Sequence, residues 1–249
     1  MSIPPFHWWR TVFYLIPAIS LYTLVLGALS IGSSFFTRSG HFAHQCARWW
    51  SRLILRTTGV EVDARGLERI DPARSCIIVS NHQSIYDIPV IFWTLPIQLR
   101  IIAKASLGRF PVLGWHLRRT GHVLVQREHP GAAVFERISR LLSERSSLLV
   151  FPEGTRSVDG RLGRFRGGIF RLAIESGLPI VPIAVEGSRH EMRKGRLMTC
   201  PGRVQLAVGD AIDTTTLNPD DAKALAANAR EQIDAMLAGA MSRTGRLAS

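Results

Sequence analysis

The chain has 249 residues, 46% of them hydrophobic, and a formal charge of +12. That length suits one main domain of about 200 residues plus an appendage, ample for a large buried core. The charge is almost all arginine, lysine occurring only at Lys104, Lys194 and Lys223, so the surface favours anionic partners.

There is no zinc-finger spacing, RNP-like aromatic segment or basic heptad helix, which with a greasy N-terminus excludes a nucleic-acid reader and moves lipid ahead. Cys46, Cys76 and Cys200 are odd in number, far apart and without C-x-x-C spacing. They are expected to be separate thiols in a reducing compartment, not a disulfide framework.

The first predicted element runs from Thr11 to Phe36 without a charged residue. A helix of that length, at about 1.5 Å per residue, exceeds the roughly 30 Å apolar thickness of a bilayer. The run outlasts the usual signal-peptide core and lacks a clear A-x-A site, so a retained membrane segment is expected. Pro17 interrupts it and leaves open whether it spans or re-enters. Arg10 precedes it, whereas Arg38, Arg48, Arg52 and Arg56 follow, an excess that places the C-terminal side in the cytoplasm.

The next segment spaces Phe42, Cys46, Trp49, Trp50, Leu53 and Ile54 helically, opposite Arg48, Arg52 and Arg56. The pattern fits an interfacial amphipathic helix, and a helix packed on a soluble core would read the same way. His41 and His44 lack a third partner, so no metal site is read there.

After Gly59, short β-rich runs alternate with helical patterns: VEVDA, CIIVS, RIIA, HVLVQ, SLLVF, PIVPIAV and VQLAV. This rhythm predicts an α/β fold with a mostly parallel twisted sheet flanked by helices, occupying residues 59–249 behind an N-terminal membrane-associated helical segment, 1–58. Connections from the second run onward are long enough for crossover helices, while the first two runs are close enough to pair antiparallel. Helices are expected near 85–95, 131–144, 168–176 and 220–237. The last opens on NPDD, a plausible cap, and carries Leu225, Ile233, Met236 and Leu237 on one stripe.

Ligands of parallel sheets bind beyond the strands' carboxyl ends. There stand Asn81 and His82, Lys104, Arg127, the run Pro152, Glu153, Gly154, Thr155 and Arg156, and Glu186. Such a gathering of histidine, carboxylates and cations suits acid/base work beside a phosphate. An aspartate five residues after a histidine is weak evidence by itself, because Ser84 and Asp87 also read as a capping box. Residues five apart in one helix diverge by about 140°, so His82 must lie on the loop before the helix for Asp87 to reach it.

The segments NHQSIYD and FPEGTRS, in that order, resemble the N-H-x-x-x-x-D and F-P-E-G-T-R-S motifs of the 1-acylglycerol-3-phosphate O-acyltransferases. KASLGRFPVLGW, GHVLVQR and LPIVPIAV support the likeness, which covers roughly residues 50 to 210. The resemblance implies acyl transfer from an acyl-carrier-protein or coenzyme A thioester to the sn-2 hydroxyl of lysophosphatidate, giving phosphatidate without a metal or other cofactor.

It also implies that His82 is the general base and Asp87 its orienting partner. Glu153, Gly154, Thr155 and Arg156 would bind the acceptor, with Arg156, Lys104 and Arg127 around its phosphate and Asn81 beside them in the substrate site. The expected partners are the membrane phospholipid surface, lysophosphatidate and acyl carrier protein. Some members of the wider superfamily acylate other lysolipids or glycerol 3-phosphate. A hydrolase using the same pair with water, and a non-catalytic membrane-surface module, are the competing readings.

Overall fold

The computed structural model describes residues 5–37, 40–109, 111–125, 138 and 146–247. Seven strands, β1 (Val60–Arg65), β2 (Ile77–Ser80), β3 (Leu99–Lys104), β4 (Val123–Val125), β5 (Ser147–Val150), β6 (Ile180–Glu186) and β7 (Gly202–Val208), form one sheet in the order β1-β7-β6-β2-β5-β3-β4. Each is one of the apolar runs expected from the sequence.

β6, β2, β5, β3 and β4 are mutually parallel, as expected. Two expectations fail at the other edge. β7 runs antiparallel to β6, because the intervening chain makes only the four-residue helix Ser188–Glu191 and then returns along the edge. β1 does not pair with β2; it lies parallel to β7 at the sheet margin. Its alternation of Glu61, Asp63 and Arg65 with apolar residues suits a half-exposed edge strand, whereas β2 and β5 are buried at every position and need neighbours on both sides.

One core fills each face of the sheet. Ile78 and Leu149 point to one, with Ile54, Leu55, Val90 and Phe92 from helices His41–Thr58 and Asp87–Thr94. Ile77 and Leu148 point to the other, with Phe170 from Gly168–Glu175 and Leu225, Ala229 and Ile233 from the C-terminal helix Ala222–Leu247. The C-terminal helix runs ten residues beyond the expected end; the NPDD segment caps it as expected, with Asn218 and Asp221 closing a reciprocal capping box. The helix Pro111–Arg119 was not expected, and the one expected at 131–144 lies almost wholly outside the described residues.

The N-terminal helix is continuous from Phe6 to Ser33 and, by length and composition, could cross a membrane. Pro17 does not break it; Thr11–Leu15 widen into a π-helical turn just ahead of the proline, where the missing N–H would otherwise disrupt the ladder. It is fastened to the rest of the chain near both ends. Arg10 Nη2 donates to the Thr58 carbonyl at 2.6 Å, satisfying the C-terminal end of the His41–Thr58 helix. Arg119 Nε donates to Ser34 Oγ at 2.8 Å with its guanidinium 4.0 Å over Phe35.

The His41–Thr58 helix combines both readings of its sequence. Cys46 and Ile54 enter the core while Phe42 and Trp49 remain exposed. His44 is buried, accepts from the Leu99 amide, and is held near pKa 3, chiefly by burial and then by Arg100 and Arg48. It is a packed neutral ring.

Glu191 is fully buried, and neither carboxylate oxygen has a hydrogen-bond partner among the described residues. Burial pushes its pKa up to about 7. Folding therefore binds a proton between the unfolded value near 4.5 and about 7, so stability is greatest below that window and falls as pH rises through it. The loss is on the order of 3 kcal/mol. Thermal unfolding in detergent should show a Tm falling from pH 5 to pH 8, and Glu191→Gln should flatten that slope; an unchanged slope would contradict the assignment.

Candidate active site

β2 stops at Ser80, and the next side chain takes over its ladder. Asn81 Nδ2 donates to the Val185 carbonyl and Oδ1 accepts from the Val185 amide, each at 2.8 Å. A carboxamide thus stands in for the peptide that would have continued the pairing with β6. The backbone is released to turn outward at His82, yet its root stays fixed to the sheet.

His82 lies on that loop, before the Asp87–Thr94 helix, as the angular argument required. Its Nδ1 is 2.7 Å from Asp87 Oδ2. The same oxygen accepts from the amides of Gln83 at 2.7 Å and Ser84 at 2.9 Å, and Oδ1 accepts from the Ser188 hydroxyl at 2.5 Å. Asp87 is completely buried, a state a carboxylate tolerates when its oxygens are this well served. The expected capping box forms only in half: Asp87 Oδ2 takes the Ser84 amide together with the imidazole, but the helix is capped at Tyr86 without a side-chain bond and the Ser84 hydroxyl donates to the Met192 carbonyl instead.

The imidazole stacks on Phe151, with centroids 4.0 Å apart and planes at 19°, and its side chain keeps 16% exposure. Nε2 has no hydrogen-bond partner among the described residues. Bonding at one nitrogen fixes the ring; the other nitrogen is left for chemistry.

The loop after β5 wraps this pair. Glu153 Oε1 accepts from the His82 amide at 2.8 Å and Oε2 from the Gly163 amide at 2.9 Å. The Ser157 amide donates to the His82 carbonyl at 2.7 Å. Burial pushes the Glu153 carboxyl up while the two amides pull it back. Gly154 turns the chain with φ 74°, in the left-handed region that a side chain would strain. The Arg156 guanidinium makes no hydrogen bond or ion pair among the described residues. Lys194, from the stretch after the Ser188–Glu191 helix, donates to Thr155 Oγ1 and to the Arg156 carbonyl, each at 3.0 Å.

Asn81, His82, Asp87, Glu153, Gly154, Thr155 and Arg156 are thus brought to one end of the sheet. Asn81 and Glu153 have their polar atoms bonded to backbone rather than presented outward. Lys104 closes β3; its side chain and the whole of Arg127 lie outside the described part of the structure. Glu186 ends β6 and accepts from Gln83 Nε2 at 3.3 Å.

Sequence reading missed Ser188 and Lys194. Neither lies in a recognisable motif, and the one available signal was their position shortly after a strand. Beside the loop, an apolar cavity of about 180 Å³ opens between the N-terminal helix and the domain, lined by Leu15, Ile19, Trp50, Ile54, Ile85 and Tyr86 among others. No group of three or more His, Cys, Asp or Glu side chains suited to a metal exists among the described residues.

Residues 61–186 match the family model described as Acyltransferase, just over half of the chain, and the chain belongs to that family. A chloroplastic 1-acyl-sn-glycerol-3-phosphate acyltransferase, BAT2, of Brassica napus is 36% identical over 62% of this chain and 45% of its own length. The mouse 1-acyl-sn-glycerol-3-phosphate acyltransferase alpha is 34% identical over 70% of this chain and 63% of its own. This chain thus spans about half to under two thirds of those relatives. The crystal structure of the 1-acyl-sn-glycerophosphate acyltransferase PlsC from Thermotoga maritima shares the fold, with a TM-score of 0.77 and 24% identity over 94% of this chain and 96% of that one.

Because Glu153 ties two loop amides together, Glu153→Ala should speed hydrogen exchange at the His82 and Gly163 amides. The loss should be about 2 kcal/mol of local protection. Unchanged exchange at both would remove Glu153 from that role.

Proposed function

We propose that the chain transfers an acyl group from a thioester of coenzyme A or acyl carrier protein to the sn-2 hydroxyl of 1-acyl-sn-glycerol-3-phosphate, forming phosphatidate. The observation that carries this reading is the bond of 2.7 Å between His82 Nδ1 and the buried Asp87, which leaves Nε2 without a partner among the described residues. Nε2 takes the proton of the acceptor hydroxyl as its oxygen attacks the thioester carbonyl carbon. The tetrahedral intermediate collapses, the carbon–sulfur bond breaks, and the thiolate recovers the proton from the imidazolium. Asp87 steadies the transient cation and fixes the tautomer. No protein nucleophile or cofactor takes part, because the acceptor supplies the attacking oxygen.

Arg156 is assigned to the acceptor phosphate, with Thr155 and the left-handed Gly154 letting the loop approach the anion. Lys194 braces that loop and adds a cation beside it. Lys104 and Arg127 are proposed as further phosphate cations from their motif positions alone. Asn81 and Glu153 are assigned positioning roles, since their polar atoms are already bonded to backbone. The apolar cavity beside Ile85 is proposed to take an acyl chain.

Residues 1–58 form the membrane-associated part in this reading, and 59–249 the catalytic domain on the cytoplasmic face. Fastening near both ends of the N-terminal helix favours its lying along one face of the membrane, with Trp9, Phe13, Leu24 and Trp49 exposed to lipid.

Assays in mixed micelles with lysophosphatidate and an acyl thioester test this directly. His82→Ala should lower kcat by about 10² to 10⁴-fold in folded protein, and normal turnover by that variant would refute the mechanism. Arg156→Ala should raise the acceptor KM, a loss of about 2 kcal/mol, and leave the donor KM unchanged. If neither the acceptor KM nor kcat moves, Arg156 does not touch the phosphate.

A further inference from the structure

We propose that Ser188 is a positioning residue for the His82–Asp87 pair, holding the aspartate from outside the motif; this rests on reading that pair as the base of an acyl transfer. The donors to Asp87 are unevenly divided. Oδ2 takes three, the His82 ring and the amides of Gln83 and Ser84, all from its own loop. Oδ1 has one donor among the described residues, the Ser188 hydroxyl. Both residues are completely buried, so bulk water cannot replace it.

Ser188 is brought there by constraint. It follows β6 through Gly187, which has φ 95°, and a Cβ at that glycine would lie 2.5 Å from the Arg203 carbonyl of β7. Only glycine makes that turn against the neighbouring strand. Four residues later, the Met192 carbonyl accepts the Ser84 hydroxyl at 2.8 Å. Residues 188–192 therefore grip the His82-to-Asp87 loop at two points, one at each end of the short helix.

The chemical effect follows from charge sharing. A carboxylate with donors on both oxygens cannot rotate its plane away from the imidazole, and it spreads its charge. With Oδ1 unserved, the charge concentrates on the proton-sharing side, so the imidazolium is held more tightly and the base loses its proton at higher pH. Among the described residues, His82 from its own loop is bonded to Asp87 and Glu153 from the loop after β5 is coupled to it by charge; the 188–191 helix presents the neutral Ser188 there.

The test compares Ser188→Ala, Ser188→Cys and Ser188→Thr with the unaltered full chain, with His82→Ala measured alongside. Ser188→Ala should lower kcat about 10-fold. Both KM values should stay within about 2-fold, and the acid limb of the kcat/KM profile should move up by roughly half a pH unit. Ser188→Thr keeps the hydroxyl and should recover most of kcat, and Ser188→Cys, a weaker donor of similar size, should fall between.

A Ser188→Ala variant with unaltered kcat and an unmoved acid limb would overturn the proposal. So would a loss of activity that follows only the folded fraction, read by Tm, with the pH profile unmoved. Normal turnover by His82→Ala would instead overturn the reading of the pair. An inactive His82→Ala beside an unaffected Ser188→Ala sinks the positioning role alone.

Discussion

A carboxylate with no solvent access must be neutralised or surrounded by donors, and Asp87 is surrounded. That requirement organises the neighbourhood. It draws the His82 ring, two loop amides and a hydroxyl from the turn after β6 onto one group. A buried, fully bonded carboxylate cannot drift, so an imidazole bonded to it cannot drift either. Stacking of Phe151 on the imidazole removes the remaining freedom.

The sheet supports this by ending early at the right place. β2 is only four residues long, and its continuation is carried by the Asn81 side chain instead of backbone. This keeps the root of the loop rigid without consuming the peptide that must turn toward the site. Glu153 repeats the device on the neighbouring loop, holding the His82 amide with one oxygen and the Gly163 amide with the other. Asn81 and Glu153 both spend their polar atoms on backbone partners. Among the described residues, His82 Nε2 and the Arg156 guanidinium have no bonding partner within the chain.

The strands were legible because buried parallel strands read as continuous apolar runs, and the site's main residues were legible because they stand directly after those runs. The strand order was not legible. Whether β1 joins β2 or β7, and whether β7 runs back along β6, depends on contacts between distant segments that no local pattern records. The Ser84-to-Asp87 capping signal was visible but only half realised, and that the same Asp87 oxygen takes both the Ser84 amide and the histidine emerged only from the structure. Ser188 and Lys194 were invisible for the same reason as the strand order: their meaning lies in what the topology places opposite them. In the His41–Thr58 helix, an amphipathic pattern could not reveal that Cys46 and Ile54 face protein while Phe42 and Trp49 face outward.

The central claim is that a fixed imidazole activates a lipid hydroxyl and not water. The direct test follows the fate of a labelled acyl thioester with and without lysophosphatidate, with every acyl product identified by mass spectrometry. Thiol release should be negligible without the acceptor and, with it, should match acylated lipid one for one. Free fatty acid formed at the same rate with or without acceptor would contradict the account.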